Sequence, residues 1–267
     1  MEKIKLAALQ VEAVIDNKEK NFEKISHLLP PDLKADILIL PELWAVGWVC
    51  DKLVKNAENI DKSETVEFLT QISKKYNINI IGGSFVEKSG GKYYNSCPVI
   101  SRNGDLIAIY RKNHLFSYYD DSENQYITQG SNPVIVDIDG IKTGLSICYD
   151  IRFPEIYRAY RLAGADLLIN AAAWPLSRKI HWDCLSRARA IENQTYTAAI
   201  TQTGTLPTGK KNLGHSVIYD YGGNVLSEIT EIEGFISAEI NLPEMYSFRD
   251  KCTVLKDIHK NYEVVFR

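Results

Sequence analysis

Ala35-Asp36-Ile37-Leu38-Ile39-Leu40-Pro41-Glu42-Leu43-Trp44 is echoed in the second half of the chain by Ala165-Asp166-Leu167-Leu168-Ile169-Asn170-Ala171-Ala172-Ala173-Trp174. Each stretch opens on Ala-Asp, runs through apolar residues and closes on tryptophan. A short continuous apolar run is what a strand covered on both faces requires. Two short strands can resemble each other by chance, and that is the competing reading. The sharper one is an internal repeat: two related α/β halves stacked sheet on sheet, with helices outside.

Working outward, Ile4–Val11 alternates as a strand, and Phe22, Ile25, Leu28 and Leu29 fall at helical spacing before Pro30-Pro31. Ser63 is placed to cap a helix carrying Val66, Phe68, Leu69 and Ile72. Ile78–Phe85 reads as one strand interrupted at Gly82-Gly83, and Tyr94–Ser101 with Leu106–Tyr110 flank the hairpin signal Asn103-Gly104. In the second half, Val134–Asp139 and Lys142–Cys148 flank Asp139-Gly140. Pro154 opens a helix that Gly164 ends, Leu167–Ala171 is a buried strand, and residues 181 to 193 are helical. Thr195–Thr203, Ser216–Tyr221 and Phe235–Ile240 read as strands, and the pattern from Pro243 onward is mixed. This alternation suggests a doubly wound single sheet at first sight. The hairpins argue instead for two mixed sheets in a sandwich. No linker separates the halves, so residues 1–267 are expected to form one domain.

The 267 residues are 45% hydrophobic and 24% charged, with a net charge of -3. Disorder needs fewer apolar residues and a larger charge, and a nucleic-acid protein usually shows a basic surplus. Neither is expected. Met1-Glu2-Lys3-Ile4-Lys5 leads straight into a strand pattern without an apolar core, so a secretory signal is not expected, and no apolar run is long enough for a spanning helix. Cys50, Cys97, Cys148, Cys184 and Cys252 are odd in number and widely spaced, with no CxxC. A disulfide framework or zinc site is a poor reading, and the cytoplasm is the expected compartment. Each cysteine is by default a small buried hydrophobe.

Three reactive side chains stand at strand ends: Glu42, Lys112 and Cys148. Any one alone is ordinary. Cys148 is the most informative, because it lies between a strand and the helix opened by Pro154. Such a turn lifts a side chain into a cleft, and a nearby helix N-terminus favours a thiolate, the competent nucleophile. A base must serve it. His114, His181 and His215 leave a Cys–His pair open, whereas His27 and His259 read as exposed. HExxH, GxGxxG and GxxxxGK[ST] are all missing from the sequence, so no simple metal, dinucleotide or P-loop signal stands out, and no cofactor is expected.

Leu40-Pro41-Glu42-Leu43-Trp44, Tyr110-Arg111-Lys112-Asn113-His114-Leu115-Phe116 and Ser146-Ile147-Cys148-Tyr149-Asp150-Ile151-Arg152-Phe153-Pro154-Glu155 together resemble the nitrilase superfamily of carbon–nitrogen hydrolases. Residues 187–193 and Gly214-His215-Ser216 extend the resemblance, which runs from the first strand to about Asn241. It implies a four-layer α-β-β-α sandwich, usually paired into a homodimer, with the tail from about residue 243 at the interface. It also implies a Glu–Lys–Cys triad. Glu42 would be general base to Cys148 and later to water. Lys112 and the backbone N–H of Tyr149 would hold the oxyanion. Glu123, ahead of Gly130, matches a second family glutamate that would orient Lys112. Arg152 and Glu155 are read as structural ion pairs, as are Arg187, Arg189 and Glu192; His215 and Ser216 are also read as structural. Pseudo-symmetry puts Trp174 at the pocket wall.

Residues 174–182, Trp-Pro-Leu-Ser-Arg-Lys-Ile-His-Trp, resemble the omega-amidase branch, which acts on amides of short keto diacids. A carboxylated substrate needs a cationic anchor, for which Arg178 is the candidate, with Tyr118 and Tyr119 closing the pocket. The segment from Ser117 to Ser122 departs from that branch by lacking the longer Gly/Pro loop. The expected partner is therefore a small-molecule amide rather than nucleic acid or membrane. An N-carbamoyl hydrolase or nitrilase is the alternative within this chemistry, and a non-catalytic binding protein is the alternative outside it.

Overall fold

A computed structural model describes residues 3–117, 122–259 and 265–266. The first half runs β1 (Lys3–Gln10), α1 (Lys18–Leu28), β2 (Ile37–Ile39), α2 (Glu64–Tyr76), β3 (Asn79–Ile81), β4 (Phe85–Ser89), β5 (Lys92–Ile100) and β6 (Leu106–Arg111). The second runs β7 (Ile135–Ile138), β8 (Ile141–Ile147), α3 (Pro154–Leu162), β9 (Leu167–Ala172), α4 (Lys179–Asn193), β10 (Tyr196–Thr201), β11 (His215–Tyr219), β12 (Val225–Thr230), β13 (Gly234–Asn241) and α5 (Leu242–Lys251).

Among the described residues these strands form two mixed sheets. The first has the order β13-β1-β2-β3-β5-β4, with β6 on the other edge of β5; the second has the order β12-β11-β10-β9-β8-β7. The repeat is visible in the topology. In the first half β1, β2 and β3 lie parallel, joined through α1 and α2; in the second, β8, β9 and β10 lie parallel, joined through α3 and α4. The echoed aspartates make matching main-chain bonds. Asp36 N–H donates to Lys5 O at 2.8 Å and its carbonyl accepts from Asn79 N; Asp166 N–H donates to Lys142 O at 2.8 Å and its carbonyl accepts from Tyr196 N.

Alternation along the strands sorts the core. Ile4, Leu6 and Ala8 of β1, with Ile37 and Ile39 of β2, face the second sheet and pack with Leu145, Ile147 and Ile169. Ala7, Leu9 and Leu38 face outward onto Ile25 of α1 and Leu69 and Ile72 of α2. Tyr157, Tyr160 and Trp182 carry the outer face of the second sheet. No helix among the described residues is long and apolar enough to cross a membrane.

The break read at Gly82-Gly83 divides residues 78–85 between two strands: β3 and β4 run in line along one edge of β5, separated by Gly82-Gly83-Ser84. The break has a purpose. A Cβ on Gly83, at φ +65°, would meet Pro41 O at 1.9 Å, so only glycine lets this segment pass beside Glu42. Strand β12, unassigned from sequence, has a mostly exposed, polar-interrupted pattern. The mixed tail contains a helix, α5, capped by Asn241 and held to its own chain by Arg249, whose guanidinium donates to Asp166 Oδ1 and the carbonyls of Ala165 and Gln194.

Candidate active site

Glu42, Lys112 and Cys148, distant in sequence, meet between the sheets. Glu42 follows β2 and is fully buried. Its Oε1 accepts from Lys112 Nζ at 2.9 Å and from Asn95 Nδ2 at 2.9 Å; its Oε2 accepts from the Ala173 N–H at 2.8 Å. Ala173 stands at the end of β9, so the two echoed stretches touch here. Gln202 Nε2 donates to the Glu42 carbonyl at 2.6 Å and fixes the main chain.

Lys112 follows β6 and is 1% exposed. Besides Glu42 it donates to Glu123 Oε2 at 2.8 Å. Glu123, also fully buried, accepts from Phe116 N at 3.1 Å and from Asn95 Nδ2 at 3.0 Å. Gly130 matters as the sequence suggested: its N–H donates to Lys112 O, and a Cβ there would meet Arg111 O at 2.2 Å.

Strand β8 ends at Ile147, one residue before Cys148, which takes φ +45°. A non-glycine residue in that region costs about 1–3 kcal/mol, and such strain concentrates at functional sites. The turn is locked by Asp150, whose carboxylate accepts from Ile147 N, His114 N, the His114 ring and Tyr110 OH. The buried Cys148 thiol lies near enough to Glu42, Lys112 and Glu123 for all three charges to act on it.

Burial pushes the Glu42 carboxyl above its ordinary range; Lys112 pulls against that and Glu123 adds to it. Burial alone would lower Lys112, but Glu123, Glu42 and Cys148 outweigh it and hold the ammonium well above its usual value. Burial, and then the Glu42 charge, pushes the Cys148 thiol well up. The expectation of a helix-stabilised thiolate is therefore corrected. Only a short 3₁₀ turn follows Cys148, α3 begins at Pro154, and desolvation beside a carboxylate favours the thiol.

Cys148 opens onto a cavity of about 470 Å³. Aromatic rings from Trp48, Phe116, Tyr149 and Trp174 form part of its wall, and Trp48 also lies 5.1 Å from Lys112 Nζ. The charged lining is all cationic among the described residues: Arg152, Arg178, Lys210 and Lys211. Tyr149, Trp174 and Arg178 are thus cavity residues as expected; Tyr118 and Tyr119 lie outside the described residues. Arg152 was read as structural and is corrected. It lines the cavity between Trp174 and Tyr149, at 4.9 and 5.7 Å, and donates to His181 Nδ1 at 3.1 Å. Lys210 and Lys211 were missed because they sit in a polar loop after β10, where lysine is ordinary.

The histidine alternatives have other partners. His114 binds Asp150 and stacks on Phe153, His181 meets Arg152, and His215 bridges Asp183 and Glu228. Arg189 pairs with Glu192 and the Ile151 carbonyl, and Ser216 binds Gln10, both structural as read. Among the described residues no group of three or more His, Cys, Asp or Glu could hold a metal ion.

The family model for carbon–nitrogen hydrolases matches residues 5–250. The chain is 37% identical to a 2-oxoglutaramate amidase of Bacillus subtilis, over 96% of this chain and 98% of that protein. It is 37% identical to a chloroplastic omega-amidase of Arabidopsis thaliana, over 78% of this chain and 59% of that protein. The fold resembles Saccharomyces cerevisiae Nit3, a member of branch 10 of the nitrilase superfamily, with a TM-score of 0.85, 28% identity and 94% of each chain covered.

Proposed function

This chain belongs to the carbon–nitrogen hydrolase family, and we propose that it is a thiol-dependent amidase acting on the monoamide of a short dicarboxylic acid, with Glu42, Lys112 and Cys148 as its catalytic residues. Glu42 takes the thiol proton as Sγ attacks the amide carbon, so no standing thiolate is needed. Lys112 and the backbone N–H of Tyr149 stabilise the oxyanion of the tetrahedral intermediate, a role worth about 3–4 kcal/mol per donor in the barrier. Glu42 then returns its proton to the leaving nitrogen. Ammonia departs and a thioester remains on Cys148. Water enters, Glu42 removes its proton, and a second tetrahedral intermediate collapses to free acid and thiol. Glu123 holds the ammonium in place throughout.

The substrate reading rests on the cavity wall. Four cations without a lining carboxylate, among the described residues, favour an anionic molecule, and the aromatic rings favour one that is short and partly apolar. The 2-oxoglutaramate amidase and omega-amidase relatives act on substrates of that kind by name. We further propose a cytoplasmic homodimer, by analogy with the family.

The single observation carrying the proposal is the convergence of a buried carboxylate and ammonium beside the thiol that lines the cavity. A panel of short carboxylated amides, neutral amides, carbamoyl compounds and nitriles, with ammonia as the readout, tests it beside Cys148→Ala. Turnover of carboxylated amides, abolished in the variant, is expected. Ammonia with carbon dioxide and amine would point to carbamoyl hydrolysis, and turnover surviving in Cys148→Ala would reject the mechanism.

A further inference from the structure

We propose that Asn95 is a positioning residue, one that commits a single oxygen of Glu42 to the thiol proton by saturating the other. The inference rests on the thiol-to-Glu42 proton transfer proposed above. Asn95 lies in β5 and is 1% exposed. Its carboxamide has two N–H groups, and Nδ2 lies 2.9 Å from Glu42 Oε1 and 3.0 Å from Glu123 Oε1. Lys112 Nζ bridges the same two carboxylates at 2.9 and 2.8 Å. Asn95, Glu42, Lys112 and Glu123 therefore close a ring.

The ring makes the two oxygens of Glu42 unequal. A carboxylate oxygen offers about two acceptor sites. Oε1 has two donors, Lys112 and Asn95, whereas Oε2 has one, the N–H of Ala173. Oε2 thus keeps an open site, and the buried Cys148 thiol lies near enough to this carboxylate for its charge to act on the sulfur. The charged or titratable groups facing Glu42 are Lys112, Glu123 and Cys148. An amide is the fitting fourth member. It separates two carboxylates with donors and adds no charge, where aspartate would add a third carboxylate. The other end of Asn95 supports a donor role: Oδ1 is buried with no partner among the described residues. A buried acceptor left unmet costs about 1–3 kcal/mol, which a residue kept only for packing would avoid. The Asn95 main chain has a separate task, its carbonyl accepting from Lys112 N at 2.9 Å, and side-chain variants leave that bond in place.

The test measures kcat and KM against pH for the full-length wild type, Asn95→Asp, Asn95→Ser and Asn95→Ala. Iodoacetamide alkylation of Cys148 against pH, read by peptide mass, runs alongside. Removing a donor from an ionised carboxylate raises its pKa, so the acidic limb should move to higher pH, most for Asn95→Asp and least for Asn95→Ser, which keeps one donor. Loss of one hydrogen bond to a charged group corresponds to about 10–100-fold, and the loss should fall on kcat with KM unchanged. The onset of Cys148 alkylation should shift in the same direction. Wild-type kcat and an unmoved limb in Asn95→Asp overturn the inference, and a loss of kcat with both pH profiles unmoved reduces Asn95 to a structural role. If wild type releases no ammonia, or Cys148→Ala still does, the hydrolase mechanism fails instead, and the alkylation series alone decides whether Asn95 tunes the pair.

Discussion

Replacing Lys112 by methionine removes the ammonium that both Glu42 and Glu123 bind, while keeping most of the side-chain volume. All three groups are fully buried, so the carboxylates cannot turn to water for compensation. Breaking a buried ion pair from one side costs about 3–5 kcal/mol, because the orphaned charge stays in low dielectric. For a chain of this size that corresponds to a fall in melting temperature of about 6–20 °C near neutral pH. The loss should depend on pH. Glu42 already sits above its ordinary range, and without Lys112 it must move further up. A carboxyl group whose folded pKa exceeds its unfolded value binds more protons in the folded state. Its contribution to stability is then present at low pH and is lost as pH rises through the folded pKa. The deficit of Lys112→Met should therefore shrink on moving from pH 8 to pH 5.5, as the carboxylates take up protons. Thermal unfolding followed by fluorescence across that range, wild type beside variant, reads both quantities. A melting temperature matching wild type at pH 8, or a deficit that does not change with pH, would refute the buried-triad reasoning.

Glu42→Gln keeps the shape of the base and removes its proton-accepting ability, so ammonia release should stop while circular dichroism still shows a folded chain. Lys211→Ala should raise KM for a carboxylated amide by about tenfold, as expected for losing one charged hydrogen bond, and leave a neutral amide unaffected; equal effects on both substrates would dissociate the cationic wall from selectivity. Gly83→Ala should lower both stability and kcat, because its Cβ would displace Pro41 O and with it Glu42; unaltered kinetics would show that the close approach does not position the base.

Much of the fold was legible because its strands are buried on both sides. That is why Ala35–Leu40 and Leu167–Ala171 stand out as apolar runs and why their likeness marks a repeat. The parts that were missed lack that signature. Strand β12 lies at a sheet edge and faces solvent, so polar residues interrupt it. Helix α5 buries just Leu242 and Met245 in the core and is otherwise held by polar bonds from Arg249, which leave no periodic mark. In the site, Glu42, Lys112, Glu123 and Cys148 were found because motifs name them. Asn95, Lys210 and Lys211 sit outside those motifs, and their importance is positional. Asn95 is one polar residue in a strand, and nothing local says that two carboxylates meet its amide. The upward push on the Cys148 thiol was also out of reach: a sequence shows that a helix follows Cys148, but not that Glu42 will share its buried surroundings.

The repeat and the chemistry are connected. Glu42 follows the central strand of the parallel triplet in one sheet, and Ala173, whose N–H holds Glu42 Oε2, follows the matching strand in the other. Cys148 follows the strand beside that one. The base and the thiol thus belong to different halves, and their separation is set by how the two sheets pack through Ile37, Ile39, Leu145 and Ile147. Interiors at this packing density feel the loss of a single methylene. A conservative change in that layer, far from any substrate, should therefore alter the fit between thiol and carboxylate. On the proposed mechanism the proton crosses from Cys148 to one oxygen of Glu42, so the inter-sheet core should govern turnover as well as stability.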